Sequence, residues 1–251
     1  MNIFVINLKN DQERRATIQK QADSLGLKVE FIEAINGKLL TEEQINELSQ
    51  DFYLNGMTHG VLGCSLSHLK VYEKIVSEKI AMALILEDDA KLSENIKIIY
   101  DRVGEYNEKH RDNSLVYLLS QVNEYIDTFK KHLYKNYFLV NVIDADYTYG
   151  YIINNVAAKN LLQYLYPVRL EADAWRFMQQ RNIVKLKAVI PPAIMLTSHC
   201  EQSTLEEERA ILLQKRISFY NEQYKKRSFY IKVRMALWRI FVRPWVKRIR
   251  P

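Results

Sequence analysis

The sequence has too few cysteines for a disulfide framework and no apolar run long enough to cross a bilayer. Cys64 and Cys200 are its two cysteines, whereas a small secreted scaffold usually holds four or more. The first ten residues, MNIFVINLKN, lack the basic start and the longer apolar stretch of a signal peptide. Apolar runs stay well below the roughly 20 residues that span a bilayer. We therefore expect a cytoplasmic protein in a reducing compartment, with at most peripheral membrane contact.

Acidic side chains are absent from the last part of the chain. Ten of the 36 Lys and Arg residues lie in residues 225–251, where no Asp or Glu occurs. The preceding 224 residues carry the other 26 basic groups and all 30 acidic groups, for a net charge of −4. A mildly acidic body argues against nucleic acid as a partner, and a basic tail favours contact with an anionic surface. We predict a folded domain over residues 1–224 and a separate tail over residues 225–251.

Hydrophobic patterning in the body is typical of an α/β fold. Residues 2–8 and 28–35 read as strands on either side of a helix at 11–25, which is a βαβ unit. A capping box at Thr41–Gln44 predicts a helix to about residue 51, followed by a glycine-containing loop at 52–63. The other predicted helices span 64–79, 94–109, 155–164, 171–181 and 206–226, and the other predicted strands span 81–86, 115–119, 137–142, 147–153 and 184–190.

Three carboxylates follow the apolar run Ala81–Leu86 without a break. The run does not alternate, which is typical of a strand covered on both faces. Glu87, Asp88 and Asp89 should then lie at the carboxyl end of that strand, where open α/β sheets bind ligands. Hard divalent cations prefer oxygen ligands, so one interpretation is a metal site. A solvated acidic turn that caps the next helix is the alternative.

The tail has the pattern of an interfacial amphipathic helix. At 100° per residue its basic residues share a narrow arc, while aromatic and aliphatic residues cover much of the remainder. Pro244 should break the helix near Arg243. This pattern predicts binding to an anionic membrane; packing on the protein's own core or on a second subunit, as in a homodimer, is the alternative. The residues of the arc are Lys225, Lys232, Arg239, Arg243 and Arg250.

Six short segments, in this order, resemble glycosyltransferase family 25 of lipopolysaccharide and lipooligosaccharide biosynthesis. Each segment alone has little specificity, but their order over roughly the first 205 residues indicates the family. The segments are Phe4–Leu8 with Glu13–Arg15, Phe31–Gly37 (FIEAING), Gly63–His68 (GCSLSH), Leu84–Ala90 (LILEDDA), Gly150–Ile153 (GYII) and Ser198–Ser203 (SHCEQS).

The resemblance implies a GT-A-like fold, which is a nucleotide-binding α/β sandwich with a mixed central sheet. It also implies an inverting enzyme that moves galactose from UDP-galactose to a lipooligosaccharide or lipopolysaccharide acceptor, through a β-galactosyl linkage. Mn²⁺ or Mg²⁺ would offset the charge of the departing diphosphate. Use of UDP-glucose or another UDP-sugar is an alternative. A metal-dependent phosphohydrolase and a noncatalytic membrane-binding module are alternatives from other classes.

In this interpretation Glu87–Asp89 take the role of the Asp-x-Asp-like metal motif. Asp89 is the expected direct metal ligand, and Glu87 or Asp88 contacts the ribose or a metal-bound water. His199 is the expected second metal ligand, since a neutral imidazole suits Mn²⁺ better than Mg²⁺. A role as an ordinary loop or core histidine is its alternative.

Donor-binding roles are expected for five further residues. Arg14 and Arg15 follow the first strand, and the planar guanidinium fork suits phosphate or uracil oxygens. We expect one of the two to reach the ligand. Asn7 ends the first strand, where its amide can meet the base. Ser67 and His68 should lie near a helix N-terminus that favours phosphate, although Ser65 or Ser67 could instead cap that helix.

Asp173 is the expected catalytic base. Inverting transfer needs a carboxylate that takes the proton of the acceptor hydroxyl, and Asp173 follows a proline-marked loop at the predicted start of a helix. Trp175 can offer an aromatic face to a sugar. Glu171 is a close rival for the same role, and Asp173 could instead be a helix cap.

Overall fold

The computed structural model of the chain describes residues 1–197 and 206–251. Its strands are β1 (Asn2–Asn7), β2 (Glu30–Glu33), β3 (Met82–Glu87), β4 (Ala90–Leu92), β5 (Leu115–Leu118), β6 (Glu124–Tyr134), β7 (Tyr137–Asp144), β8 (Gly150–Asn154), β9 (Lys185–Ile190), β10 (Ile194–Leu196) and β11 (Arg248–Ile249). Its α-helices are α1 (Gln12–Ser24), α2 (Glu42–Leu48), α3 (Phe52–Asn55), α4 (His59–Ser77), α5 (Ile96–Glu108), α6 (Asn155–Leu165), α7 (Trp175–Gln180), α8 (Glu206–Lys225) and α9 (Phe229–Leu237).

A mixed sheet forms the centre of the molecule. Within the described residues nine strands join it, in the order β11-β6-β7-β9-β5-β8-β3-β1-β2. β1 is parallel to both β2 and β3, and β8 runs antiparallel between β3 and β5. The carboxyl ends of β1 and β3 therefore meet the amino end of β8 at one edge of the sheet. The expected α/β fold with a mixed central sheet is confirmed.

Helices cover both faces of the sheet, which explains the unbroken apolar run before the acids. Ala83 and Ile85 of β3 pack in one core cluster with residues of α4, α6 and α7. Leu84 and Leu86 face the other cluster, with residues of α1 and α5. All four side chains are fully buried, as expected for a central strand covered on both faces.

The region after α2 differs from the prediction. The capping box of Thr41 and Gln44 is present, but the stretch predicted to be a loop, 52–63, contains α3 and the first turn of α4. Thr58 caps α4, so this helix begins five residues before the predicted start at Cys64. Three glycines in the stretch, Gly56, Gly60 and Gly63, favour a loop by local propensity, and tertiary packing overrides that preference.

The tail is helical up to Pro244 and then joins the sheet. α9 continues as a π-helical turn over Trp238–Val242 and a 3₁₀ turn over Arg243–Trp245, so the predicted break near Arg243 is confirmed. β11 then pairs antiparallel with β6. Arg250 lies beyond the helix and pairs with Glu124, so its predicted place in the basic helical arc is wrong.

Aromatic and aliphatic side chains of the tail face solvent. Nothing in the described helices combines the length and the apolar character that a bilayer crossing requires. The exposed large apolar residues of the tail are Phe229, Tyr230, Val233, Leu237, Ile240, Phe241, Val242 and Trp245.

Candidate functional site

The acids that follow β3 lie where the sequence places them, at the carboxyl end of a buried central strand. Glu87 is the last residue of β3, and Asp88 and Asp89 follow it directly. Ile6 of β1 lies beside Glu87 in the parallel register, so Asn7 is next to the acids. All three carboxylates are partly exposed, which leaves them accessible to a ligand.

Asp88 is held by an amide and a guanidinium. Asn7 Nδ2 donates to its Oδ2 at 2.8 Å, and Arg14 Nη1 donates to its Oδ1 at 3.2 Å. Burial raises the pKa of Asp88, and these two contacts only partly offset that effect. Each carboxylate oxygen of Asp88 thus already accepts a hydrogen bond within the protein.

Arg14 is the cation of this site. Its Nη1 lies 3.9 Å from Asp89 Oδ2 as well as beside Asp88. Partial burial by itself lowers the pKa of Arg14, but the charges of Asp88 and Asp89 raise it above its ordinary value. Arg15 points elsewhere, because its guanidinium lies 3.8 Å from the ring centroid of Phe31. Of the two arginines, Arg14 therefore lies beside the acids, and the expectation that one of them contacts the ligand stays a prediction.

Glu87 faces α4 and the segment before β8. Thr148 Oγ1 donates to Glu87 Oε1 at 2.5 Å, and the backbone N–H of Glu87 donates to the carbonyl of Tyr149 at 3.2 Å. His68 Nε2 lies 3.5 Å from the same Oε1. The carboxylate is therefore fixed in orientation by groups from two other parts of the chain.

His68 belongs to a buried network with two tyrosines. Its Nδ1 lies 2.8 Å from the hydroxyl of Tyr151, which lies 2.7 Å from the hydroxyl of Tyr72. Burial raises the pKa of Tyr151 well above its ordinary value, and burial also raises that of Tyr72. Both hydroxyls therefore stay protonated at neutral pH and fix the plane of the imidazole ring.

Ser65 and Ser67 connect α4 to two loops, and neither caps the helix. The expected position of Ser67 and His68 near a helix N-terminus is wrong, and so is the alternative that Ser65 or Ser67 caps the helix. The reason is that α4 begins at His59 and these residues lie well inside it. Ser67 Oγ accepts from the N–H of Ile35 at 2.8 Å and donates to the carbonyl of Gly63 at 2.6 Å. Ser67 is buried and fixes the loop after β2, while its predicted contact with phosphate stays a prediction.

The other serine anchors the segment that carries the expected base. Ser65 Oγ accepts from the N–H of Ala172 at 3.1 Å. Asp173 is partly exposed and precedes α7, whose N-cap position is Ala174 with no side-chain cap, so the alternative that Asp173 caps this helix is wrong. Trp175 is fully buried and donates to the carbonyl of Tyr147, so the expectation that its ring faces a sugar is wrong.

The carboxylate of Glu171 is bound by side chains of α8. Arg216 and Tyr220 both hydrogen-bond to its carboxylate, and Arg216 also donates to the carbonyl of Asn55 at 3.1 Å. A carboxylate held in this way is less available to accept a proton from an acceptor. Glu171 is therefore less suited to act as the base, and the role of Asp173 as the base stays a prediction.

His199 lies outside the described residues, and its predicted role as a metal ligand stays a prediction. The described segment that precedes His199 ends at Thr197. The backbone N–H of Thr197 donates to the carbonyl of Asp89 at 3.0 Å, which places the end of β10 beside the acids.

A cleft of about 590 Å³ lies at the carboxyl ends of β1 and β2. Asn7 links it to the acids, because its Nδ2 donates both to the carbonyl of Asp11, a lining residue, and to Asp88. Asp11, which lines it, caps α1 by accepting from the N–H of Arg14. The other lining residues are Leu8, Lys9, Asn10, Glu33, Ala34, Ile35, Asn36, Leu39 and Lys70.

Thr148, Tyr151 and Tyr72 are residues of this site to which the sequence assigned no role. Thr148 and Tyr151 lie at the site because β8 pairs antiparallel with β3. Hydrophobic periodicity does not reveal the order of strands in a sheet. Tyr72 lies one helical turn after His68 on α4. That spacing is a signal which could have placed the two on one face.

A family described as Glycosyltransferase family 25 (LPS biosynthesis protein) has a sequence model that matches residues 1–176. Among curated relatives, a glycosyltransferase 25 family member of Aedes aegypti is 29% identical over 170 residues, covering 64% of this chain and 28% of the relative. Procollagen galactosyltransferase 2 of Homo sapiens is 27% identical over 175 residues, covering 64% of this chain and 27% of the relative. The chain thus spans little more than a quarter of the length of these relatives.

A solved structure of a glycosyltransferase involved in the glycosylation of the major capsid of PBCV-1 is also similar. It has 12% sequence identity and a TM-score of 0.42, and the match covers 85% of this chain and 98% of the solved one.

Proposed function

This chain belongs to glycosyltransferase family 25, and from that premise we propose that it transfers galactose from UDP-galactose to a saccharide acceptor with inversion at the anomeric carbon. The observation that carries the proposal is the group of carboxylates at the end of β3, beside Arg14 and an open cleft. The human relative is named Procollagen galactosyltransferase 2, which supports galactose as the sugar.

Asp89 is the residue best suited to hold a divalent cation. Asp88 is occupied by Asn7 and Arg14, whereas Asp89 projects beside them with partial exposure. Its carboxylate oxygens fit Mn²⁺ or Mg²⁺. When bound, such an ion would offset the negative charge of the leaving diphosphate. Glu87 is held by Thr148 and is positioned to contact the ribose or a metal-bound water.

The nucleoside part of the donor would occupy the cleft at the ends of β1 and β2. Lys9 and Lys70 line it and supply positive charge for a phosphate. Asn7 lies at the boundary between the cleft and the acids, and its Oδ1 has no hydrogen-bond partner among residues 1–197 and 206–251. That oxygen is buried, so the donor would reach it only after a local shift of the residues around it.

Asp173 would act as the base. The acceptor hydroxyl attacks the anomeric carbon from the face opposite UDP, the bond to the diphosphate oxygen breaks, and Asp173 takes the hydroxyl proton. Ser65 holds the segment that carries Asp173 through the N–H of Ala172, and this contact fixes the base relative to α4 and β3.

The acceptor in this proposal is a lipooligosaccharide or lipopolysaccharide under construction, and the protein acts in the cytoplasm at the inner membrane. The exposed aromatic residues and the basic residues of the tail support peripheral contact with anionic lipid. Such contact would bring the site close to a lipid-linked glycan.

The test measures transfer with a panel of UDP-sugars and oligosaccharide acceptors, with and without Mn²⁺. Asp89→Asn should lower kcat/KM by about 100-fold or more, since a lost electrostatic contact to the departing group typically has an effect of that size. The control Asp101→Asn changes an exposed carboxylate on α5 and should leave transfer unchanged. Full activity of a folded Asp89→Asn protein would overturn the proposal, and donor hydrolysis independent of any acceptor would favour a phosphohydrolase.

A further inference from the structure

Three ligand-type side chains converge between α4 and the end of β3. Cys64 and His68 are four residues apart on α4, which places them one turn apart on the same face. Glu87 approaches from β3. One ligand atom from each residue, a thiol sulfur, an imidazole nitrogen and a carboxylate oxygen, lies within 4.8 Å of the other two. A sulfur, a nitrogen and an oxygen at this separation need only small shifts to meet around one ion.

One atom of this group is a buried nitrogen that lacks a hydrogen bond. His68 is 1% exposed, and its Nε2 has no hydrogen-bond partner within the described parts of the chain. Glu87 Oε1 lies 3.5 Å from this nitrogen. A buried polar atom without a partner costs free energy, and a bound cation would use the lone pair of this nitrogen.

The tyrosine network decides whether that lone pair is present. If the His68 Nδ1–H donates to Tyr151, and Tyr151 in turn donates to Tyr72, then Nε2 has no proton. The opposite order of donors leaves a proton on Nε2. Both orders fit the distances of 2.8 and 2.7 Å. Metal-bound histidines commonly donate the other ring N–H to an oxygen that orients them, and Tyr151 is placed to be that oxygen.

The donor set selects the kind of ion. Thiolate and imidazole ligands suit borderline ions such as Zn²⁺ and Co²⁺, whereas Mg²⁺ requires oxygen ligands. This chemistry differs from that of the oxygen ligand Asp89. Three protein ligands also leave an open position in a tetrahedral site.

We propose that Cys64, His68 and Glu87 form a binding site for a borderline transition-metal ion of the Zn²⁺ class. Tyr151 orients the histidine, and Thr148 orients the carboxylate. The inference rests on these side chains and not on the activity proposed above, and Glu87 is the residue that the two proposed sites share.

The test uses the full chain with Zn²⁺ and Co²⁺ as probes and without any sugar donor. Wild-type protein should retain zinc after dialysis, and Co²⁺ should produce the intense visible bands of a tetrahedral site together with a thiolate charge-transfer band. His68→Gln and Cys64→Ser should each weaken zinc binding by about 100-fold or more, and Tyr151→Phe by about 10–100-fold, the range typical of outer-shell partners. Cys64→Ser should also remove the thiolate band.

Two matched controls separate ligand loss from general damage. His110→Gln removes a histidine that stacks on Tyr106, and Tyr100→Phe removes a buried hydroxyl that donates to the carbonyl of Met82. Both should bind zinc as the wild type does. Should a cluster variant fail to fold, thiol labelling of the wild type decides the matter, because zinc should protect Cys64 from alkylation as identified by peptide mass. Unchanged labelling of Cys64, or a thiolate band that persists in folded Cys64→Ser, would overturn the proposal.

Activity measurements separate this inference from the proposed function. Asp89→Asn should retain zinc while losing transfer. Transfer without zinc binding would overturn only the metal site, and zinc binding without transfer would overturn only the glycosyltransferase proposal.

Discussion

The side-chain amide of Asn7 donates a 2.8 Å hydrogen bond to Asp88, across a separation of 81 residues in the sequence. The bond joins the carboxyl ends of two parallel neighbours, β1 and β3. Asn7 is buried, and its Nδ2 also donates to the carbonyl of Asp11 at 3.0 Å. One amide therefore connects the acids to the start of α1, where Arg14 originates.

Asn7→Ala should lower both stability and donor affinity. The substitution removes a donor from a mostly buried carboxylate, and an unsatisfied group of this kind costs about 1–3 kcal/mol. Urea unfolding measures the first effect, and titration with UDP the second. Asn2→Ala, in the same strand but exposed, should change the unfolding free energy by less than about 0.5 kcal/mol. Equal effects of the two substitutions would contradict this prediction.

Gly37 allows a loop to lie against α4, and Gly37→Ala should destabilise the protein. A Cβ at this position would lie 1.7 Å from the carbonyl oxygen of His59, so backbone must move. Overpacking of this kind costs about 1–3 kcal/mol. Gly104→Ala is the control, because its Cβ would meet only the flexible end of Met82 at 3.4 Å. In mid-helix that change should stabilise by up to about 1 kcal/mol. Thermal unfolding should therefore show a lower Tm for Gly37→Ala and a higher Tm for Gly104→Ala than for the wild type.

Arg216→Met should destabilise the protein by about 3 kcal/mol, because it leaves Glu171 in a largely buried position without its cation. Adding Glu171→Gln to that variant should restore part of the loss, and the double-mutant cycle measures the coupling. Arg102→Met removes an exposed ion pair with Glu105 and should cost less than about 1 kcal/mol. If Arg216→Met costs no more than this control, the pair does not stabilise the contact between α8 and the body.

Trp245→Ser should weaken the binding of the protein to vesicles of anionic lipid by about 10- to 100-fold, since burial of a large apolar side chain contributes roughly 1.5–3 kcal/mol. Trp245 is 81% exposed in the tail, and Leu54, which is 75% exposed on α3, is the control. Leu54→Ser should leave vesicle binding unchanged. Sedimentation with vesicles at low and high salt measures both, and added salt should weaken wild-type binding. Equal losses in the two variants would argue against the tail as the membrane contact.

Local patterns predicted the features that depend on neighbouring residues. The capping box at Thr41 and Gln44, the unbroken apolar strand before Glu87 and the break near Pro244 all follow from short-range rules about backbone hydrogen bonds and side-chain periodicity. The start of α4 was placed too late, because Gly60 and Gly63 have low helix propensity. The close packing requires a glycine at position 63, because a Cβ there would lie 2.5 Å from the backbone nitrogen of Gly37.

The sequence by itself determined that three carboxylates end a buried strand and that the basic charge collects in the tail. Tertiary structure decided which groups meet those carboxylates: Asn7 and Arg14 at Asp88, and Thr148 and His68 at Glu87. It also decided that β11 completes an edge of the sheet. The physical reason is that strand order and long-range hydrogen bonds depend on how the core packs on both faces of the sheet. Residues distant in the sequence contribute to that packing, and it cannot be predicted from the local pattern around any one of them.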